Sequence, residues 1–318
     1  MILIINTKTI EYNIIDPKRY MGKRQENIKD KIFIIRKKKK KCITSKGAYL
    51  SYYTNKETIR ILSAYGKDFI NAQIKEENET NCKSLQYKEL AKLTIDNELR
   101  SIALKWIYTI ITDNNMDINV YYITVSIFDR YLSIKEENAF DKEMIKKIIF
   151  TSFVIASKYD SGNDYSMLIE SDISSLEIDI YSSLQFDISF FSSYNYIKAF
   201  FADFNLHNSK QVNYMLSLEK ISIAISKLIT LEISFYNYSQ SVLAIGCLIK
   251  ALDFIATKSR KIKTSQLMLM KQWINLIITT NYKYCNNELI MKVINKIQMY
   301  WNISDFYIVN EDELTINE

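Results

Sequence analysis

The residues best equipped to do chemistry in this chain are few and far apart. Four cysteines, Cys42, Cys82, Cys247 and Cys285, form no CxxC pair, and the single histidine, His207, lies in Asn205-Leu206-His207-Asn208. Zinc sites and disulfide frameworks draw on closely spaced ligands, so no metal site is expected, and His207 reads as a loop or cap residue rather than a general base. There is no glycine-rich phosphate loop, paired-carboxylate motif or nucleophile elbow, so independent catalysis and a cofactor are not expected. Two charges stand out instead. Arg100 shares a helical face with Leu104, Ile107 and Ile111, and Asp129 shares one with Val125 and Leu132. A lone charge among apolar neighbours is costly, which points to a structural role for both; the alternative is two partly exposed charges that never meet.

The elements that would carry these residues are helices. Five glycines and one proline in 318 residues leave little turn material for a sandwich or barrel, while 48% apolar residues suffice for a large core or two modest ones. Between Glu57 and Ile74, apolar positions recur at helical spacing, which predicts one leading helix. From Asp96 the pattern predicts helices over 97–111, 119–132 and 142–158, a Gly162-containing turn, a short helix near 165–170 and a longer one over 172–184. A second set follows at 193–204, 210–230, 239–256, 264–279 and 287–300. Small residues at Thr151, Ser152, Ala156 and Ser157, and again in the helix around Ser241 to Ala251, suit central helices that neighbours approach closely. The expected architecture is all-α, two tandem five-helix bundles. The expected divisions are a basic, mostly flexible extension over 1–54, a leading helix and linker over 55–95, bundles over 96–190 and 191–304, and an acidic tail over 305–318.

Charge separates these parts. The net charge is +6, but residues 1–50 carry +10 and the remainder −4. The run Arg36, Lys37, Lys38, Lys39, Lys40, Lys41 is a candidate nuclear-import signal or nucleic-acid contact, or simply a solvated charge run. The opening apolar residues are too few for a signal peptide, and no apolar run is expected to reach the roughly 18 residues of a membrane span. The expected compartment is reducing: nucleus, cytoplasm or both.

Four motifs in order now carry a resemblance. Leu99-Arg100-Ser101-Ile102-Ala103-Leu104-Lys105-Trp106-Ile107 resembles the cyclin-box opening M-R-A-I-L-x-D-W-L of A- and B-type cyclins, Ile127 to Ser133 resembles the segment ending in DRFLS, Val154 to Asp160 resembles ASKxEE, and Leu184-Gln185-Phe186-Asp187-Ile188 resembles LxFDL. Gln240 to Ala244 stands where PSVIA stands in the C-terminal cyclin fold. The chain thus resembles a cyclin, a divergent eukaryotic or viral member, over roughly residues 55–302.

That resemblance implies a non-catalytic subunit that binds and activates a cyclin-dependent kinase as a heterodimer in cell-cycle control. It implies a buried ion pair between Arg100 and Asp129 joining the first two helices. It implies kinase contacts at Lys158 and Glu177, which bond kinase backbone, and apolar contacts at Tyr159, Tyr181, Phe186 and Ile188. For Glu177 a local alternative stands: Ser174-Ser175-Leu176-Glu177 has the form of a capping box. The resemblance further implies a docking patch for substrate or inhibitor peptides at Leu99, Ile102, Ala103, Trp106, Thr109, Ile145 and Lys146. Thr109 stands where the family has a peptide-attracting glutamate and Lys146 would repel an arginine, so docking of Arg-x-Leu peptides is not expected. Lys105 replaces the usual aspartate. Residues 1–90 hold no R-x-x-L or K-E-N degradation signal.

Two rivals remain at this stage. A cyclin of a transcriptional kinase would differ in substrate only. A TFIIB-type initiation factor would bind DNA and polymerase, but such proteins carry a zinc ribbon and a basic second repeat, and here the positive charge lies in residues 1–50, so no direct nucleic-acid contact is expected.

Overall fold

A computed structural model describes residues 70–75, 77, 95–135, 140–162, 173–188, 191–207, 213–258, 262–280 and 287–303. These residues are all-α: no strand occurs among them. Their helices are α1 (Asn97–Asp113), α2 (Ile118–Ile134), α3 (Lys142–Ser161), α4 (Ser174–Ser183), α5 (Ser193–His207), α6 (Asn213–Thr230), α7 (Gln240–Lys258), α8 (Thr264–Thr280) and α9 (Asn287–Ile303), with a 3-10 turn at Ile233–Asn237 before α7. The expected short helix near 165–170, the basic run Arg36–Lys41 and the terminal segments lie outside the described residues.

Local chemistry explains the first three helix starts. Asp96, Asp117 and Asp141 each stand at an N-cap, where the side-chain oxygen accepts an otherwise unpaired backbone N–H, from Glu98, Asn119 and Met144 respectively. Gly162 ends α3 at φ 66°, a left-handed conformation that glycine adopts without a Cβ penalty.

Two hydrophobic cores form. The first gathers Leu104 and Ile107 of α1, Ile127 and Phe128 of α2, Ile148 and Phe153 of α3, and Ile180 of α4. The second gathers Ile197 of α5, Leu218 and Ile225 of α6, Leu248 of α7, Met270 of α8 and Val293 of α9. The helical residues Ile70 and Ile74 join this second core, and the nearby Glu77 carboxylate accepts the backbone N–H groups of Gln240 and Ser241 at the start of α7. Burial pushes the Glu77 carboxyl up, and these hydrogen bonds at a helix N-terminus partly offset that.

The central helix α7 corrects one expectation. Its window Gln240–Thr257 is long and apolar enough to cross a membrane by length and composition alone. Lys250 and Asp253 interrupt the apolar run without lowering its mean below that level, and most of the window is buried against α5, α6, α8 and α9. Close approach is built in at Gly246, where an added Cβ would lie 2.5 Å from Cγ1 of Val293 on α9.

The two cores are stitched along α2 and α6. Tyr122 donates to Ser226 Oγ at 3.0 Å and stacks on Tyr194, the Tyr121 and Thr230 hydroxyls share a hydrogen bond of 3.0 Å, and Lys227 donates to the Tyr108 hydroxyl at 2.9 Å. Burial pushes the Tyr121 phenol up to about 12, with the Thr230 bond and Arg100 pulling the other way, and burial also raises Tyr122.

Two measurements follow from this packing. Gly246→Ala is expected to destabilise the chain by about 1–3 kcal/mol in chemical denaturation, although alanine is the better helix former, because α9 must give way. A tyrosine whose folded value exceeds its unfolded value of about 10 stabilises fully below that value and loses the contribution as pH rises through the folded one. Alkaline unfolding followed by circular dichroism should therefore set in above pH ~10, together with phenolate absorbance.

Candidate partner-binding site

The site is built from α1 outward. Arg100 and Asp129 are both fully buried and form a two-bonded ion pair, Nε to Oδ1 at 2.8 Å and Nη2 to Oδ2 at 2.7 Å. Arg100 Nη1 donates to the Leu231 carbonyl at 3.1 Å and Nη2 also reaches the Tyr236 hydroxyl at 2.8 Å. Tyr236 in turn donates a very short hydrogen bond to Asp129 and lies under the guanidinium. Burial alone would lower the Arg100 value, but the Asp129 charge, Tyr236 and the hydrogen bonds outweigh it and hold the guanidinium protonated. The pair therefore joins α1 to α2 and also ties both to the segment that follows α6.

Fixing α1 against α2 fixes α3 and α4, which carry the charged pair at the surface. Lys158 of α3 and Glu177 of α4 meet through both carboxylate oxygens, at 2.8 and 2.9 Å. They are 31% and 17% exposed, so the pair is anchored yet open to an incoming group. The capping-box alternative for Glu177 is not formed: the N-cap of α4 is Ile173, which makes no side-chain cap bond. Beside the pair, Tyr159 is 55% exposed and Phe186 73% exposed. Phe186 stacks on half-buried Tyr181 with ring centroids 5.9 Å apart, and burial, then the Glu177 charge, raises the Tyr181 phenol. Phe186 and Gln185 take φ of 59° and 52°, uncommon for residues with side chains, in the turn that ends α4. Ile188 is buried in the first core and offers little surface.

One exposed residue escaped the sequence reading. Ile178 is 67% exposed on α4, next to Glu177. Its helical neighbours Ser174, Ser175, Tyr181 and Ser182 make a largely polar face, and an isoleucine there was the available signal. The leucine carbonyl and tyrosine hydroxyl that complete the Arg100 site were also missed, since they lie more than 130 residues from it along the chain.

The expected docking patch on α1 is smaller than its list of residues. Leu99, Ile102 and Trp106 are half-buried, but Ala103 and Ile145 are buried in the first core and present almost no surface. Trp106 packs near Phe150, and Lys146 pairs with Glu143 at 3.6 Å. The Thr109 hydroxyl is turned back to the Lys105 carbonyl at 3.0 Å. No group of three or more His, Cys, Asp or Glu suited to a metal occurs among the described residues.

The first four helices thus form an all-helical unit with a buried Arg–Asp pair inside and a partly exposed Lys–Glu pair near exposed rings. Residues 68–189 match the family model described as "Cyclin, N-terminal domain", so this segment is similar to the N-terminal domain of cyclins. It is 23% identical over 174 residues to Cyclin-A2-2 of Arabidopsis thaliana, an alignment covering 50% of this chain and 37% of that protein. It is likewise 23% identical over 143 residues to the G2/mitotic-specific cyclin C13-1 of Daucus carota, covering 41% and 40%, and 23% identical over 186 residues to Cyclin-A3-2 of Arabidopsis thaliana, covering 54% and 47%. The matched segment spans less than half the length of each of these relatives.

The two ion pairs should respond very differently to truncation. Arg100→Ala strands a buried carboxylate and is expected to lower the unfolding free energy by roughly 3–5 kcal/mol. Lys158→Ala or Glu177→Ala, at a partly solvated pair, should each change it by about 1 kcal/mol or less. Urea denaturation of the three variants checks the contrast.

Proposed function

We propose that this chain is the regulatory subunit of a cyclin-dependent Ser/Thr protein kinase, which it binds as a heterodimer and activates without supplying a catalytic group. The observation that carries the reading is the open Lys158–Glu177 pair flanked by the exposed rings of Tyr159 and Phe186 within an N-terminal cyclin domain. Charged groups already desolvated on one side make strong, directional bonds to carbonyls and amides of a docking partner, and aromatic side chains are frequent interface anchors. Ile178 extends the apolar rim of this face. Binding the active arrangement of the kinase better than the inactive one shifts its population by that difference in affinity. The exchange of the internal Lys158–Glu177 bonds for bonds to the kinase keeps both charges paired throughout.

Secondary readings attach to the same proposal. Residues 191–304 form the second cyclin fold. The half-buried Leu99, Ile102 and Trp106 receive apolar peptide side chains, with Thr109 and Lys146 disfavouring an arginine beside them. Localisation in the nucleus, the cytoplasm or both, with Arg36–Lys41 as the import signal, completes the reading.

The test is a pull-down of the recombinant chain with a panel of cyclin-dependent kinases, followed by a histone phosphorylation assay. Binding with stimulated phosphorylation is expected, and the double variant Lys158→Ala, Glu177→Ala should lose the stimulation while keeping its helicity. Undiminished stimulation by the folded double variant refutes the interface. Binding of promoter DNA or polymerase in place of any kinase replaces the function with that of a TFIIB-type initiation factor.

A further inference from the structure

The helix α4 has little to hold it in place. It is ten residues long, has no side-chain N-cap, and contributes one fully buried residue, Ile180. A helix this short is marginal by itself, and besides Ile180 only the part-buried Leu176 and Tyr181 of α4 pack against the first core. Yet it carries Glu177, Ile178 and Tyr181, whose placement decides the shape of the exposed face.

The C-terminal end of α2 supplies the missing restraints. The Tyr131 hydroxyl donates to Asp179 Oδ2 at 2.6 Å, and Lys135 Nζ donates to Asp179 Oδ1 at 2.9 Å. The Lys135 ammonium also lies 5.3 Å from the centroid of the Tyr131 ring, so the three side chains form a closed triangle. Ser183, one turn on along α4, reaches the same carboxylate oxygen at 3.5 Å. The Tyr131 and Lys135 bonds hold the Asp179 carboxyl below its usual range against a small opposing effect of burial. One residue earlier on α2, the Arg130 guanidinium lies 3.6 Å from Asp187 in the turn after α4, the turn that sets Phe186 at φ 59°. Arg130 is itself buried, which leaves its head few alternative positions.

We infer that Tyr131 and Lys135, through Asp179, together with Arg130, through Asp187, form a polar clamp that sets the pose of α4 and its following turn. They are positioning residues of the partner-binding face, an assignment that rests on the proposed function for what the face receives. Aspartate is short and has only two torsions, so a carboxylate bonded from two sides fixes a helix more tightly than one long side chain would. The Lys158–Glu177 pair restrains the same helix from α3. Because its lysine and glutamate are also the groups that a kinase would engage, the contacts to α2, together with the apolar packing of Leu176, Ile180 and Tyr181, are what hold α4 during that exchange.

The experiment uses the full chain and reads amide hydrogen exchange and kinase affinity side by side. In Asp179→Ala, amides of α4 and of the turn 184–188 should exchange roughly tenfold faster, the loss of one to two charge-assisted hydrogen bonds, while α1 and α3 keep their protection. Kinase dissociation constants should rise by a similar factor. The charge-swapped variant Lys135→Glu, Asp179→Lys should recover a large part of both losses, which a general weakening of the fold would not allow. Unchanged exchange in Asp179→Ala, loss of protection spread over all helices, or kinase affinity unaffected by a mobile α4 would each overturn the clamp. A wild-type chain that binds no kinase counts against the proposed function, whereas the exchange measurement upholds or overturns the clamp by itself.

Discussion

The structure depends on the accommodation of two charges that no water reaches. A guanidinium and a carboxylate in an apolar interior are tolerated only when nearly every donor and acceptor is used, because the cost of desolvating each ion is several kcal/mol. Asp129 alone cannot satisfy the five donors of Arg100. The remaining donors turn to the Leu231 carbonyl and the Tyr236 hydroxyl, both contributed by the segment between α6 and α7. Satisfying one buried arginine thus requires three stretches of chain to converge: α1, α2 and the segment between α6 and α7. The tyrosine contacts along α2 and α6 then fill the space that this convergence defines.

From that centre the order of construction runs outward. α2, buried along nearly its whole length, is the rigid reference against which α1, α3 and α4 are placed. α3 carries Lys158 on its last turn, where its positive charge also suits the negative end of the helix dipole. α4 has the fewest buried residues of these four helices, and Ile178 on it and Phe186 in the turn after it are the most exposed large apolar side chains among the described residues. This is the arrangement expected of a surface made to be covered: a stiff support beneath a small element with apolar side chains in water. A surface already held in its bound shape loses less conformational entropy on association, which is how a modest contact area becomes selective.

Much of this was legible in the chain. The helices after residue 96 follow the apolar period closely, as with α7, where the expected 239–256 and the observed Gln240–Lys258 differ by one or two residues at each end. Such periods are local, and aspartates at three N-caps mark the starts. The fate of individual apolar residues was less legible. Ile145 and Ala103 fit a surface patch by position, but their side chains turn into the first core, and Ile178 fits a buried helix face by type, but points to solvent. Hydrophobicity says that a residue prefers burial, not that its helix has a second surface to bury it against. The apolar length of α7 likewise satisfies both a membrane span and a core helix, and only its packing against four neighbours distinguishes them.

Sequence by itself determined the all-helical class, the positions of the helices among the described residues after 96, and the four motifs that resemble a cyclin box. These depend on side-chain type and short-range spacing, which are complete within a few turns of helix. Tertiary structure alone decided that Arg100 is shared between α2 and the segment before α7, that Lys158 and Glu177 close on each other, and that Tyr131 and Lys135 grip Asp179. Each of those arrangements brings polar atoms to about 3 Å across 19 to 136 residues of chain. Hydrogen bonds and ion pairs of this kind depend on ångström-scale placement, and that placement is set by how whole helices pack, a property that no short segment of the chain contains.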